Sequence, residues 1–384
     1  MKKKHHFGKM IVFLISIIVI CIVIIFFKQQ NMDMLSVFHE QEVIGEENEI
    51  ENEIQVNKER IEYHPKENEE NIIETQVVAP ILGTLGQEED TTNREENIQG
   101  GYFYSQLDSN AKKIYEAIET HIEDMKNGNY TIDLGSTFQT VLEVTDGEQK
   151  LKQAYQDAWD AITTDRVDLF YLDTSKIYLF INTTKIWNIV SYTVTIGPEK
   201  NENYYASGYT SKADVETTIA QLEMIRKQVI DKASGSTYQK IMQVNDWLVE
   251  ALSYDETISR TNTRNIYGAL IEKEVVCEGY AKAFQYLMDG LQIPCILVSG
   301  TGTNSNGITE SHLWNYVQIA NNWYAVDVTC NDPIIQGGGR LTTQMKHKYL
   351  CKGKSFLENH TPSGKVSQAG MTFVYPELNV TDYK

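Results

Sequence analysis

Residues 275–284 read VVCEGYAKAF: a short β-branched run closes at Cys277, and helical spacing begins there. Tyr280, Phe284, Leu287 and Leu291 fall on one face and Gly290 supplies a stop, so a helix is expected to start at Cys277. A thiol at such a junction has two readings. It is a small buried apolar residue, or it is a nucleophile whose thiolate gains from the partial positive charge of a helix N-terminus. The stretch alone leaves both open.

Downstream, IPCILVSG follows Pro294 as an apolar run and reads as a buried strand, with Cys295 in the core. TGTNSNGITE is glycine-rich but lacks the lysine and spacing of a phosphate cradle, so a surface loop is expected. SHLWNYVQI and NWYAVDVTC then alternate in the manner of a hairpin. A two-residue turn pairs even positions with odd ones, which puts His312, Trp314 and Tyr316 on one sheet face with Trp323, Asp327 and Thr329. With the turn at Ala320 and Asn321, Trp314 lies opposite Asp327 and His312 is its diagonal neighbour, about 7–8 Å away at the backbone. An imidazole and a carboxylate reach each other over that distance. With Cys277 at a helix start they make the three parts of a thiol nucleophile: Asp327 fixes the tautomer, and His312 takes the thiol proton and hands it on. Each residue also has a structural reading, as a satisfied buried carboxylate, an edge histidine or a core thiol.

The segments NIYGALIEKEVVCEGYAKAFQYLMDGLQIPCILVSG and SHLWNYVQIANNWYAVDVTCNDP resemble the core of the transglutaminase-like superfamily in its bacterial form. The resemblance covers roughly residues 236 to 384, most tightly 264 to 333. It implies a papain-like α+β fold, in which a nucleophile helix packs on an antiparallel sheet, and a catalytic set of Cys277, His312 and Asp327. The implied chemistry is acyl transfer through a thioester. The Cys277 N–H would be half of the oxyanion hole, and Trp247 or Tyr267 would be candidates for the other donor. Trp314 and Asn315 would hold the histidine strand. Cys330 and Cys351 stand where the resemblance leads one to expect aromatics, and a disulfide between them is an expectation outside the cell. Nothing resembles an EF-hand loop, so calcium activation is not implied.

Upstream, residues 10–27 form an uncharged apolar run of 18 residues, about 27 Å long as a helix at about 1.5 Å per residue. Lys2, Lys3, Lys4 and Lys9 precede it and Lys28 follows, so an uncleaved single-pass anchor with the rest of the chain outside the cell is expected. Residues 40–99 hold 18 acidic against 4 basic residues, −14 of the chain's −19, and read as a disordered linker within 29–99. An α+β region over 100–209 and the transglutaminase-like domain over 210–384 complete the expected division. Helices are expected in YSQLDSNAKKIYEAIETHIEDM, QKLKQAYQDAWDAI, SKADVETTIAQLEMIRKQVIDKA and TYQKIMQVNDWLVEAL, and strands in VDLFYLD, KIYLFIN and IVSYTVTI.

The acidic balance and the lack of a Lys/Arg cluster exclude nucleic acid as a ligand. None of the five cysteines forms a C-x-x-C pair, and His347 with Cys351 lacks companions, so no metal or cofactor is expected. Two functional classes follow. One is a surface thiol acyltransferase or peptidase acting on protein or cell-wall peptide amides. The other is a non-catalytic binding or assembly module on the same fold. The oligomeric state is not legible in the sequence.

Overall fold

β-Branched runs and helical stripes sort into three sheets and five helices of ten or more residues in the computed structural model, which describes residues 55–64, 101–258, 260–304, 307–333 and 341–384. The first sheet holds β1 (Gln55–Glu62), β2 (Ile132–Gly135), β3 (Tyr178–Ile186) and β4 (Ile189–Gly197), antiparallel in the order β1-β3-β4-β2. Helices α1 (Ser109–Thr120) and α2 (Gly147–Asp165) pack beside it. Asp108 starts α1 by accepting the Asn110 and Ala111 N–H groups, each at 2.8 Å, and Ile114 and Ile118 are fully buried as their spacing predicts.

Two expectations are corrected here. The acidic segment is expected to be a disordered spacer with at most a short helix or strand at its sparse Ile and Val residues, yet β1 lies inside it and pairs with the edge of β3. Its ladder satisfies an edge that would otherwise be open, Ile61 and Tyr63 are buried, and Tyr63 Oη donates to Asp160 at 2.8 Å. VDLFYLD is not a strand but a chain of turns, closed by Leu169 N–H to Arg166 and Leu172 N–H to Leu169. Its apolar residues are buried on more than one side, so a run that looked like a strand has no sheet to join.

The second half contributes α3 (Lys212–Ile230) and α4 (Thr237–Ala251), the latter opened by a full Ser236/Gln239 capping box. Ser211 caps α3, while the Asp214 carboxylate turns to Thr210 instead of closing a box. A parallel pair, β5 (Ser253–Tyr254) with β6 (Glu274–Val275), leads into α5 (Cys277–Gly290). Then follow β7 (Cys295–Thr303), β8 (Thr309–Ile319), β9 (Asn322–Val326) and β10 (His360–Pro362), antiparallel in the order β10-β7-β8-β9. α5 lies across β7 and β8, the helix-on-sheet arrangement expected from sequence. Half of the glycine-rich stretch is strand, since β7 and β8 pair through Thr303 and Thr309. Gly300 is required there: a Cβ would run into the Thr361 carbonyl of β10 and stand 2.7 Å from the Trp314 ring.

The boundary expected near residues 209–211 does not separate two cores. Gln156 Nε2 donates to Ser367 at 2.9 Å, Gln285 Nε2 to the Thr164 carbonyl at 3.2 Å, and Phe103 packs edge-on to Phe373 at 5.0 Å. Among the described residues no helix is long and apolar enough to cross a membrane. The expected anchor at 10–27 and the rest of the acidic segment lie outside those residues.

A half-buried carboxylate makes the stability of this shared core depend on pH. Desolvation pushes Asp165 up to about 7, against the backbone N–H groups of Phe103 and Tyr104 that it accepts at 3.1 Å each. An acid raised above its unfolded value favours the fold while protonated, so stability falls as pH rises from about 4 to about 7. The melting temperature should therefore increase as pH drops from 8 toward 5, and an unchanged value over that range in thermal melts would count against this assignment.

Candidate active site

The helix α5 begins at a bare end. Its N-cap, Val276, is extended and has no side-chain acceptor, so the first-turn N–H groups are not capped by a neighbouring side chain and the helix field acts on Cys277. Gly279 lets this end approach the preceding loop: a Cβ would stand 2.5 Å from Val275 Cβ and 2.7 Å from the Thr263 carbonyl. Cys277 itself is half-buried.

The β8–β9 hairpin turns at Ala320 and Asn321, both left-handed at φ 48° and 62°, which is the two-residue geometry that matches strand twist. Its register pairs Asn315 with Val326. The next position outward sets Trp314 opposite Asp327, with His312 diagonal to it, as the sequence parity requires. The structure brings His312 Nε2 to 2.7 Å from Asp327 Oδ2, with the histidine 5% and the aspartate 0% exposed. The Cys277 thiol lies beside the same imidazole and helps to raise it above its ordinary value. Since Asp327 takes the Nε2 edge, Nδ1 is the nitrogen left for the thiol. All three residues singled out from sequence therefore meet around one ring.

Asp327 is fixed from three directions. Its Oδ1 accepts the Cys330 N–H at 2.9 Å, and its Oδ2 also stands 3.0 Å from His360 Nε2. Burial alone would raise this carboxyl, but the charges and hydrogen bonds of His312 and His360 outweigh it and hold the group well below the usual carboxylate range. Burial likewise opposes a charge on His312, and the Asp327 carboxylate, with the Cys277 and Cys330 thiols, carries it well above the ordinary histidine value. An ion pair is the state this pocket selects.

Neighbours lock the frame. Trp314 lies 5.9 Å from the His312 ring, and Asn315 Nδ2 donates to the Ala281 carbonyl at 3.0 Å, tying β8 to α5. Tyr280 Oη donates to Asp332 at 2.6 Å, and burial pushes Asp332 up to about 6. Asn331, fully buried, donates to Asn245 at 2.8 Å and accepts the Tyr349 N–H at 2.8 Å. Trp247 and Tyr267, the candidates for a second oxyanion donor, are found in packing roles: Lys273 Nζ sits 4.6 Å over the Trp247 ring, and Tyr267 packs edge-on to Tyr209. Glu278 turns the other way, pairing with Lys282 at 2.6 Å and lining a cavity of about 580 Å³ with Arg264, Asn265, Ser299 and Tyr375.

The expected Cys330–Cys351 disulfide is not formed. Cys330 lies 3.9 Å from His312 Nε2, whereas Cys351 is fully buried near Tyr238 and Tyr324, and burial pushes its thiol well up. His347, weighed with Cys351 as a metal pair, instead contacts Asp246 at 2.7 Å. Sequence reading missed His360. It comes from β10, a strand of three residues with no periodicity to announce it, and its ring stacks on Phe356 at 3.8 Å.

Residues 224–328 match the model of the transglutaminase-like superfamily. No curated protein matches the sequence. Similar solved structures include a TGase, at 12% identity over 42% of this chain and 46% of that chain, with a TM-score of 0.28. A candidate cysteine protease from Cytophaga hutchinsonii matches at 16% identity over 41% of this chain and 59% of its own, with a TM-score of 0.24. The periplasmic domain of TgpA from Pseudomonas aeruginosa matches at 11% identity over 41% and 74%, with a TM-score of 0.23. The chain spans about half the length of the first two.

Proposed function

We propose, on the premise that residues 224–328 form a transglutaminase-like domain, that the protein is a thiol acyltransferase or hydrolase acting on protein or cell-wall peptide amides. The observation that carries this reading is the His312–Asp327 pair at 2.7 Å beside the thiol that opens α5. The cationic imidazole supports a Cys277 thiolate, which attacks the amide carbonyl while the α5 N-terminus, with the Cys277 N–H, receives the developing oxyanion. His312 then protonates the departing ammonia or amine, leaving a thioester. Next it takes a proton from the incoming water or amine, whose attack releases an acid or a new amide and restores the thiol pair. Asp327 keeps Nδ1 turned to the sulfur throughout.

The sequence supports a location for this chemistry. The apolar run at 10–27 and the lysines before it favour an anchored chain with the site outside the cell.

Alkylation tests the reading without a known substrate. Iodoacetamide should label Cys277 rapidly at pH 6, and His312→Ala should suppress that labelling, as read by mass spectrometry on the full-length chain. Slow labelling of both proteins would mean that the thiol is not activated, and the reading would fall.

A further inference from the structure

Around Asp327 the fold collects more donors than a thiol nucleophile needs. His312 Nε2, Asp327 Oδ2, Cys330 Sγ and His360 Nε2 all lie within 4.8 Å of one another, and all four residues are buried. Three pair distances are 2.7, 3.0 and 3.9 Å. A tetrahedral zinc ion with bonds of about 2.0–2.3 Å separates its N and O donors by about 3.3 Å and its S and N donors by about 3.6 Å. For these three pairs shifts of about half an ångström would suffice, and the remaining donors draw in from within 4.8 Å. We propose that His312, Asp327, Cys330 and His360 form a binding site for a borderline-soft divalent cation of the zinc class, and that occupancy, by holding His312 at Nε2 with its proton on Nδ1, withdraws it as a base from Cys277.

The groups behind these donors point the same way. His360 Nδ1 lies 2.9 Å from Asn359 Oδ1, and Asn359 Nδ2 donates to Tyr349 Oη at 3.0 Å. In that setting Nδ1 carries the proton donated to the amide, and the Nε2 lone pair faces the Asp327 carboxylate. Two acceptors turned on each other need a second ring proton or a cation between them. An amide that fixes the far nitrogen of a ligating histidine is what metal sites use. The opposite setting of the Asn359 amide returns a proton to Nε2, so the same side chain serves the metal-free state.

Charge and donor type agree. A thiolate and a carboxylate neutralise a dication, so the loaded site carries no net charge in its buried pocket, and the displaced thiol and imidazole protons leave to solvent. Sulfur and imidazole donors select against magnesium and calcium. Four protein ligands make a closed site with no place for a reactive water, so the ion would lock the pair and take no part in acyl transfer.

The test is titration of the reduced full-length chain with cobalt(II). Saturation at one ion per chain is expected, with tetrahedral visible absorption and a thiolate charge-transfer band. Cys330→Ser should remove the charge-transfer band, His360→Gln should abolish the tetrahedral absorption, and Asn359→Ala should weaken binding about tenfold. Cys277→Ala should leave every band intact, an arm that decides even if the other variants fold poorly. No tetrahedral band, a charge-transfer band kept by Cys330→Ser, or one lost in Cys277→Ala would each overturn the site.

The withdrawal of His312 rests on the acyl-transfer reading; the binding does not. Zinc should suppress Cys277 alkylation and a chelator should restore it. Cobalt bound to a protein whose Cys277 labels slowly with or without His312 would remove that reading and leave the site standing. A His312-dependent Cys277 in a protein that binds no cobalt would do the reverse.

Discussion

Cys277→Ala should leave a folded chain that forms no acyl-enzyme. The side chain is half-buried at the first position of α5, and its loss removes one sulfur from a helix end that Gly279 and the Thr263 carbonyl already hold. The stability cost should therefore stay within about 1 kcal/mol. The activity cost has no such limit, because neither His312 nor Asp327 can form the thioester. A fall on the order of 10⁵–10⁶ in turnover is expected. Single-turnover mixing with a glutamine-containing donor, followed by intact-mass detection, reads the step directly. Residual covalent adduct in the variant would show that another group carries the chemistry.

The second large effect is expected at Asp327, where activity and stability should fall together. Its two oxygens accept the Cys330 N–H and face two imidazoles in a pocket with no exposure. In Asp327→Asn an amide faces groups that need an anion. His312 loses the partner that stabilises its cation, and turnover should drop on the order of 10⁴-fold. The buried imidazoles lose their counter-charge, which costs about 3–5 kcal/mol in denaturant unfolding. Asp327→Glu should not rescue either quantity, since one more methylene moves the carboxylate off both rings. Full stability in Asp327→Asn would show that the pair contributes less than the buried geometry demands. The expected split between Cys277 and Asp327, one variant silent in unfolding and the other not, separates a chemical role from a positioning role.

What could be read from sequence follows from how local the determinants are. The α5 helix and the β8–β9 hairpin were legible because their spacing repeats within a few residues, and the hairpin parity alone put His312 beside Asp327. β1 was not legible. Its acidic composition spoke for solvent, and its place depends on β3, more than a hundred residues away. His360 was missed for the same reason: its strand is three residues long and gains meaning only against Gly300–Gly302 of β7. VDLFYLD erred in the other direction. A buried apolar run looks like a strand until its own turn hydrogen bonds are seen to close it. The disulfide expectation failed because two cysteines close in sequence were assigned to a common neighbourhood. The hairpin instead turns Cys330 toward His312, and Cys351 goes to the tyrosines behind.

The order of parts along the chain also sets an order in time. During synthesis the thiol at 277 emerges first, the imidazole at 312 next, then the carboxylate at 327, and the second imidazole at 360 after all of them. The sheet keeps this order in its strands, since β10, which carries the second imidazole and pairs with β7, is the last of the four to be made. A growing chain thus holds an ordinary thiol for as long as its activating partners are still being made. If the chain crosses a membrane while it elongates, the nucleophile travels unarmed and becomes reactive only where folding finishes.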